Sequence, residues 1–292
     1  MATPDAYRLR IGPAVLELRG PDPAFAEALA QYFMQASDPA APDVSLEIEL
    51  ISHDRPPRVP SSLVLTKTLT ADGFDIADGL IRGRFDADSG RGVLQVASIL
   101  TSGRMTRVFE QILYQAFHSA RRRRGRDTAL VHSAGVIAGG RAYLFVGASE
   151  AGKTTIAGLA DGRPVLNDEM NLVEFGPGGA EVVGTPFNGF FRTKQPGRAP
   201  LGGILLLEKG PAHGLSPVGP GEATATVAAQ VAPPVPLEAV ADDATTAAML
   251  DIAARLVHQA PVRRLAFARD PGFWTLLEEA LHPDSRGHHG TP

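Results

Sequence analysis

The chain has 292 residues, 44% hydrophobic and 21% charged, a balance that excludes a disordered chain and is ample for a buried core. A formal net charge of -4 provides no overall basic field for nucleic acid, and the absence of cysteine excludes disulfides, cysteine–zinc sites and thiol nucleophiles. There is no apolar run of about 18 residues and no signal-peptide core near the start, so a cytoplasmic chain without a membrane span is expected.

Residues 7–19 alternate around Gly12-Pro13 and predict a hairpin or broken strand. Residues 23–35 predict a helix, with Pro23 early in it and Asp22 as its cap. Residues 44–51 alternate strictly and predict a strand. A Pro-rich loop at 55–60 precedes short strands over 63–97, whose turns are marked by Asp72-Gly73, Asp78-Gly79 and Asp88-Ser89-Gly90. Val108, Ile112, Leu113, Ala116 and Phe117 fall at helical spacing and predict a helix over about 100–121. It ends in Arg121-Arg122-Arg123-Arg124-Gly125-Arg126, which reads either as a patch for an acidic partner or as a solvated helix end before a glycine stop.

From residue 129 the strands become apolar. They are expected at 129–138, 142–147, 164–167, 171–175, 180–184 and 203–208, with helices at 154–160, 221–231, 244–258 and 271–281. Met249, Ile252, Ala253 and Leu256 form one apolar stripe. The segment 231–236 reads as a rigid Pro-rich loop, and the tail 283–292 as loose. The expected division is an N-terminal α+β domain over 1–127, an α/β domain over 128–282, and the tail.

The strongest motif is Gly147-Ala148-Ser149-Glu150-Ala151-Gly152-Lys153-Thr154, which satisfies G-x-x-x-x-G-K-[ST] at every fixed position and continues into Thr155. Here a strand, Tyr143-Leu144-Phe145-Val146, delivers the chain to a tight turn whose backbone N–H groups form an anion nest. Lys153 would reach the terminal phosphates of ATP, and the Thr154 hydroxyl would bind Mg²⁺. Such a loop needs a facing carboxylate, and Asp168 and Glu169 end the short strand that follows. At period two they would project to opposite sides, so only a bulge or turn lets both reach one metal. His132, in the apolar strand upstream, reads first as a satisfied core histidine.

The order L-V-H-S-A-G-V, G-A-S-E-A-G-K-T-T, V-L-N-D-E, G-T-P-F-N-G and A-P-L-G-G-I-L-L-L-E-K-G resembles the catalytic domain of the HPr serine kinase/phosphorylase family and its divergent relatives, over about residues 128–280. The resemblance implies a P-loop kinase domain similar in fold to phosphoenolpyruvate carboxykinase. It implies transfer of the ATP γ-phosphate to a serine hydroxyl of a protein or precursor peptide. By position, Gly147, Gly152, Lys153 and Thr154 match the family's phosphate loop, His132 the preceding histidine, and Asp168 the proposed base. Glu169 stands where the family has a second aspartate. The segment 184–189 matches a loop beside the active site, and Arg192, Lys194 and Arg198 after it are candidates to steady phosphate. Residues 1–127 do not resemble the family's usual N-terminal domain. Two other readings stay open: a nucleotide-binding or ATP-hydrolysing accessory module of a peptide-modification assembly, and a small-molecule kinase. Oligomeric state is open, homo-oligomers included.

Overall fold

A computed structural model describes residues 6–20, 23–33, 35–36, 39–51, 67–70, 72–77, 80–97, 105–187, 191, 193–195, 197–232 and 243–281. Asp22, the Asp78-Gly79 turn, the Pro-rich stretches 55–60 and 233–236, residues 188–189, Arg192, the tail 283–292 and the Val108 side chain lie outside the described residues. The chain is mixed α/β, with two mixed sheets and few helices among the described residues. It divides into two units, Met1–Thr128 with Pro233–Ala248 and Ala129–Ala232 with Met249–Pro292.

In the first unit, β1 (Ala6–Ile11) and β2 (Ala14–Arg19) form the expected hairpin. The helix α1 (Pro23–Tyr32) then returns the chain so that β3 (Val44–Ile51) lies parallel to β2. The strands β4 (Lys67–Thr70), β5 (Gly73–Ala77), β6 (Ile81–Asp86) and β7 (Arg91–Ala97) pair antiparallel in succession, and β7 closes parallel on β3. The order is β1-β2-β3-β7-β6-β5-β4. Leu9, Leu16, Leu46, Phe85 and Leu94 are fully buried, as the period-two alternation requires. The helix α2 (Met105–Arg123) buries Phe109, Ile112, Leu113, Ala116 and Phe117, and Phe109 meets Phe25 of α1 edge to face at 5.4 Å.

Two arginines of the run at the end of α2 are answered from within the unit. Arg123 pairs with Asp88 and, at 3.4 Å, with Asp72; Arg124 pairs with the Asp43 carboxylate and donates to its carbonyl at 3.1 Å. Arg121 lies over the Phe117 ring at 5.8 Å. These arginines pin the helix end to the turns flanking β3, β5 and β7. The opposite, polar face of the sheet carries a groove of about 380 Å³ bounded by Arg19, Arg84, Arg91 and Asp86.

In the second unit, β8 (Thr128–His132), β9 (Ala134–Ala138), β10 (Arg141–Val146), α3 (Lys153–Gly158), β11 (Val165–Asn167), β12 (Met170–Gly176), β13 (Gly179–Gly184) and β14 (Arg198–Lys209) come in chain order. They are followed by β15 (Gly214–Pro217), α4 (Pro220–Ala228), α5 (Asp243–Gln259), whose residues 243–248 belong to the first unit, β16 (Val262–Phe267) and α6 (Phe273–Leu281). The main path is β11-β9-β10-β14-β13-β12-β8, with β16 against β14 and β15 against β16. The long strand β14 changes neighbours along its length. Arg198, Ala199 and Pro200 pair with β13, Leu201 to Leu206 run parallel to β10, and Ile204 to Lys209 run parallel to β16.

Sequence and structure differ in three places. The single strand expected over 129–138 is broken at Ser133, because β8 and β9 serve different neighbours in the sheet. The strand expected at 203–208 begins five residues earlier, at Arg198, where β13 supplies a partner. Strands β15 and β16 were not anticipated; adjacent Arg263 and Arg264 interrupt the alternation of Val262, Leu265 and Phe267.

Glu17 offers a test of the first unit. It is 2% exposed and accepts from Arg8 Nε at 2.8 Å and Arg19 Nε at 2.5 Å. Burial pushes its carboxyl up, but the hydrogen bonds and charges of Arg19 and Arg8 outweigh this and hold it below its ordinary value. A lowered folded pKa means that this stabilisation is complete above the unfolded value and is lost as pH falls through the folded one. Glu17→Gln is expected to lower the unfolding free energy near neutrality by about 2 kcal/mol. In urea melts across acid pH the variant's stability should lose part of its downward slope.

Candidate functional site

Strand β10 sends alternate side chains to opposite faces. Ala142, Leu144 and Val146 join the core that contains Val227, Ala253 and Leu256, while Tyr143 and Phe145 join Ile156, Phe273 and Trp274. Burial on both faces makes the strand continuously apolar and holds its end in place. The chain then turns through residues 147–152 into α3, where Ala151 N–H donates to Ala148 C=O at 3.1 Å. Ala148, Ser149 and Glu150 are exposed at the rim. Glu150 (φ 64°) and Gly152 (φ 111°) are left-handed.

The two motif glycines have packing reasons as well as a ligand reason. A Cβ at Gly147 would lie 2.7 Å from the Ala151 Cβ, and one at Gly152 would lie 2.6 Å from Phe267 Cζ on β16. Sequence alone assigned these glycines to phosphate clearance; the close approach of Phe267 required the fold.

Lys153 is 7% exposed and folds its ammonium back over the loop, donating to Gly147 C=O at 2.8 Å and Ala148 C=O at 3.2 Å. Burial pulls its pKa below the ordinary lysine value, partly opposed by the charge of Glu169. The exposed Thr154 donates its hydroxyl to Asp168 Oδ2 at 3.0 Å, and Phe191 N–H donates to the same oxygen at 3.0 Å. Asp168 is 1% exposed, and its other oxygen, Oδ1, is buried with no hydrogen-bond partner. Thr155 is half-buried in the first turn of α3, where its carbonyl accepts from Leu159 N–H.

The two acids escape the strict period-two alternation and take different partners. The register of β11 on β9 slips between Val165 and Asn167, so an extra residue is taken up. The chain then bends, with Asn167 Oδ1 accepting from Glu169 N–H at 2.7 Å and Met170 N–H at 3.2 Å. Asp168 goes to Thr154. Glu169 goes to His132, with Nε2 and Oε2 3.7 Å apart, and its carbonyl accepts from Ser133 N–H at 3.1 Å. His132 is about one-third exposed, so it is not the enclosed core histidine that its apolar strand suggested. The fold thus gathers Lys153, Thr154, Asp168, Glu169 and His132 around one loop.

Of the candidate phosphate-steadying cations, the two among the described residues are otherwise engaged. Lys194 is buried and donates to Phe187 C=O, and Arg198 pairs with Glu174 and Glu181. The residues that sequence reasoning passed over are Asn167, Asn171 and Thr185. Asn171 Nδ2 donates to Ser133 C=O at 2.8 Å and Ser133 Oγ at 3.0 Å, tying the break between β8 and β9 to β12. Nothing in their spacing announces this; Asn167 and Thr185 sit inside the quoted V-L-N-D-E and G-T-P-F-N-G segments as unremarked letters, and Asn171 lies outside both.

The arrangement fits a magnesium polyphosphate. An orphaned, buried carboxylate oxygen beside a hydroxyl is a place where a cation removes a desolvation penalty. Among the described residues no three His, Asp or Glu side chains gather into a metal cage. Magnesium usually takes only one or two carboxylates, with phosphate oxygens and water completing its shell. Among the described residues no helix is long and apolar enough to cross a membrane. Compared with known proteins, the chain matches no family model and no curated sequence.

Two outcomes follow from the loop. Gly152→Ala forces a side chain into left-handed backbone against Phe267 and is expected to cost about 2 kcal/mol in chemical melts. Because the folded Lys153 releases its proton more readily than the unfolded one, it leaves the free protein less stable at pH below that window and more stable above it. A bound polyphosphate favours the charged ammonium, so ADP affinity should fall as pH rises through the lowered Lys153 pKa. In calorimetric titrations Lys153→Met should lack this alkaline decline.

Proposed function

We propose that this chain is an ATP- and magnesium-dependent phosphotransferase that delivers the γ-phosphate to a hydroxyl, a serine of a protein or precursor peptide. The observation that carries the reading is the Thr154–Asp168 hydrogen bond at the mouth of the Gly147–Lys153 motif, with Asp168 Oδ1 left unpartnered beside it. The resemblance to the HPr-kinase-like proteins supports the same reading through the order of motifs, and gives the kinase-type fold as part of the proposal.

Loop amides and Lys153 would hold the β- and γ-phosphates, Lys153 exchanging its contacts to Gly147 and Ala148 for phosphate oxygens. Thr154 and Asp168, with the charge of Glu169 beside them, would hold Mg²⁺, which when bound neutralises charge developing on the phosphates. The acceptor oxygen forms a bond to the γ-phosphorus as the bridging bond to ADP breaks. Asp168, whose Oδ2 accepts from Thr154 and Phe191, would also take the acceptor's proton, the role that the resemblance implies for it. His132 would orient Glu169 at the exposed side.

The test is incubation of the protein with γ-labelled ATP and host lysate. Label on a protein or peptide supports the proposal. Label only in a metabolite makes the chain a small-molecule kinase, and ATP binding or hydrolysis without a labelled acceptor makes it an accessory module. Lys153→Ala is expected to reduce transfer at least about 100-fold with an unchanged circular dichroism spectrum. Asp168→Asn should retain nucleotide binding and lose transfer about 100- to 10,000-fold. Full transfer by Asp168→Asn would remove that residue from the chemistry.

A further inference from the structure

The side chain of Asn167 is fully buried and uses both ends of its amide. Nδ2 donates to Thr185 C=O at 3.0 Å, Thr185 Oγ1 at 3.0 Å and Phe187 C=O at 2.7 Å. Oδ1 accepts from the N–H groups of Glu169 and Met170. Thr185 Oγ1 in turn donates to Met170 C=O, closing a ring of hydrogen bonds around the acidic bend. We propose that Asn167 is a positioning residue for metal-dependent nucleotide binding, aiming Asp168 at the phosphate loop while touching neither metal nor nucleotide.

The physical case rests on where the chain would otherwise go. Residues continuing β11 without the bend would alternate, sending Asp168 and Glu169 to opposite faces of the sheet. The two hydrogen bonds to Asn167 Oδ1 impose the turn immediately after Asp168. The three acceptors around Nδ2 fix the amide itself, and through Phe187 they hold one end of the segment whose other end, Phe191 N–H, grips Asp168 Oδ2. An oxygen in place of Nδ2 would face those acceptors directly, so only an amide satisfies both sides. Hydrogen-bond partners that orient a metal-holding group commonly change metal affinity about 10- to 100-fold when removed.

The inference rests on the phosphotransferase reading, and binding measurements separate the two. ATP is titrated calorimetrically into the protein with and without magnesium chloride. The unsubstituted protein should bind ATP more tightly with magnesium. Asn167→Leu, of similar volume and uncharged, should bind magnesium-free ATP within about threefold of the unsubstituted protein, yet lose about tenfold or more of the magnesium-dependent gain. Thr185→Val, which removes a single hydroxyl, should shift the gain in the same direction by a smaller factor, and Thr185→Ser should restore it. Thermal melts by circular dichroism establish which variants are folded; if Asn167→Leu is not, the two Thr185 variants decide. A folded Asn167 or Thr185→Val variant with an undiminished gain overturns the inference, as does equal loss with and without magnesium, which would mark a merely structural role. Failure of the unsubstituted protein to bind ATP in either condition would overturn the phosphate-loop reading itself.

Discussion

Strand β10 is buried on both faces, and the loop at its end inherits its position from that constraint. With Leu144 and Val146 locked into one core and Tyr143 and Phe145 into the other, the strand cannot roll or slide without opening both. Its parallel neighbour β14 continues into a parallel pairing with β16, and β16 brings Phe267 against Gly152. The turn is therefore braced from the sheet below. Gly152, which is left-handed, lies against Phe267, where both the backbone and the space require a glycine.

The acidic side of the site depends on a different device. A carboxylate at 1% exposure has lost its water and must find donors or a cation. Asp168 finds two donors at Oδ2 and none at Oδ1. That half-satisfied state is costly for a residue with a purely structural task and suits one that meets a cation or a proton in its working cycle. The slip of β11 on β9 and the Asn167 turn interrupt the alternation that would send the two acids to opposite faces, leaving Asp168 against Thr154 and Glu169 against His132. Lys153 completes the balance. Its ammonium is desolvated and held by two loop carbonyls, an arrangement compatible with the proposed exchange for phosphate oxygens.

The first unit spends its charges locally. Arg123 and Arg124 close onto Asp72, Asp88 and Asp43, while Arg8 and Arg19 enclose Glu17. Several of these pairs involve exposed side chains and contribute little individually, but those of Arg123 and Arg124 join segments distant in sequence. The arginine run at residues 121–126, ambiguous as a string of letters, resolves into an anchor for α2 because its acids arrive from three separate turns.

Sequence by itself determined the local features. The alternation of β3 and the helical stripe of α2 were legible because burial on one side imposes a short-range period. The G-x-x-x-x-G-K-T spacing was legible because a phosphate nest is built from consecutive residues, and the Asp168-Glu169 pair stood out by its place after the loop helix. Only the tertiary structure decided the break at Ser133, the neighbour changes of β14, the pairing of β15 and β16, the division of the two acids and the amide bonds of Asn167. Each of these depends on partners many residues away, and a buried hydrogen bond carries no periodicity by which one end can announce the other.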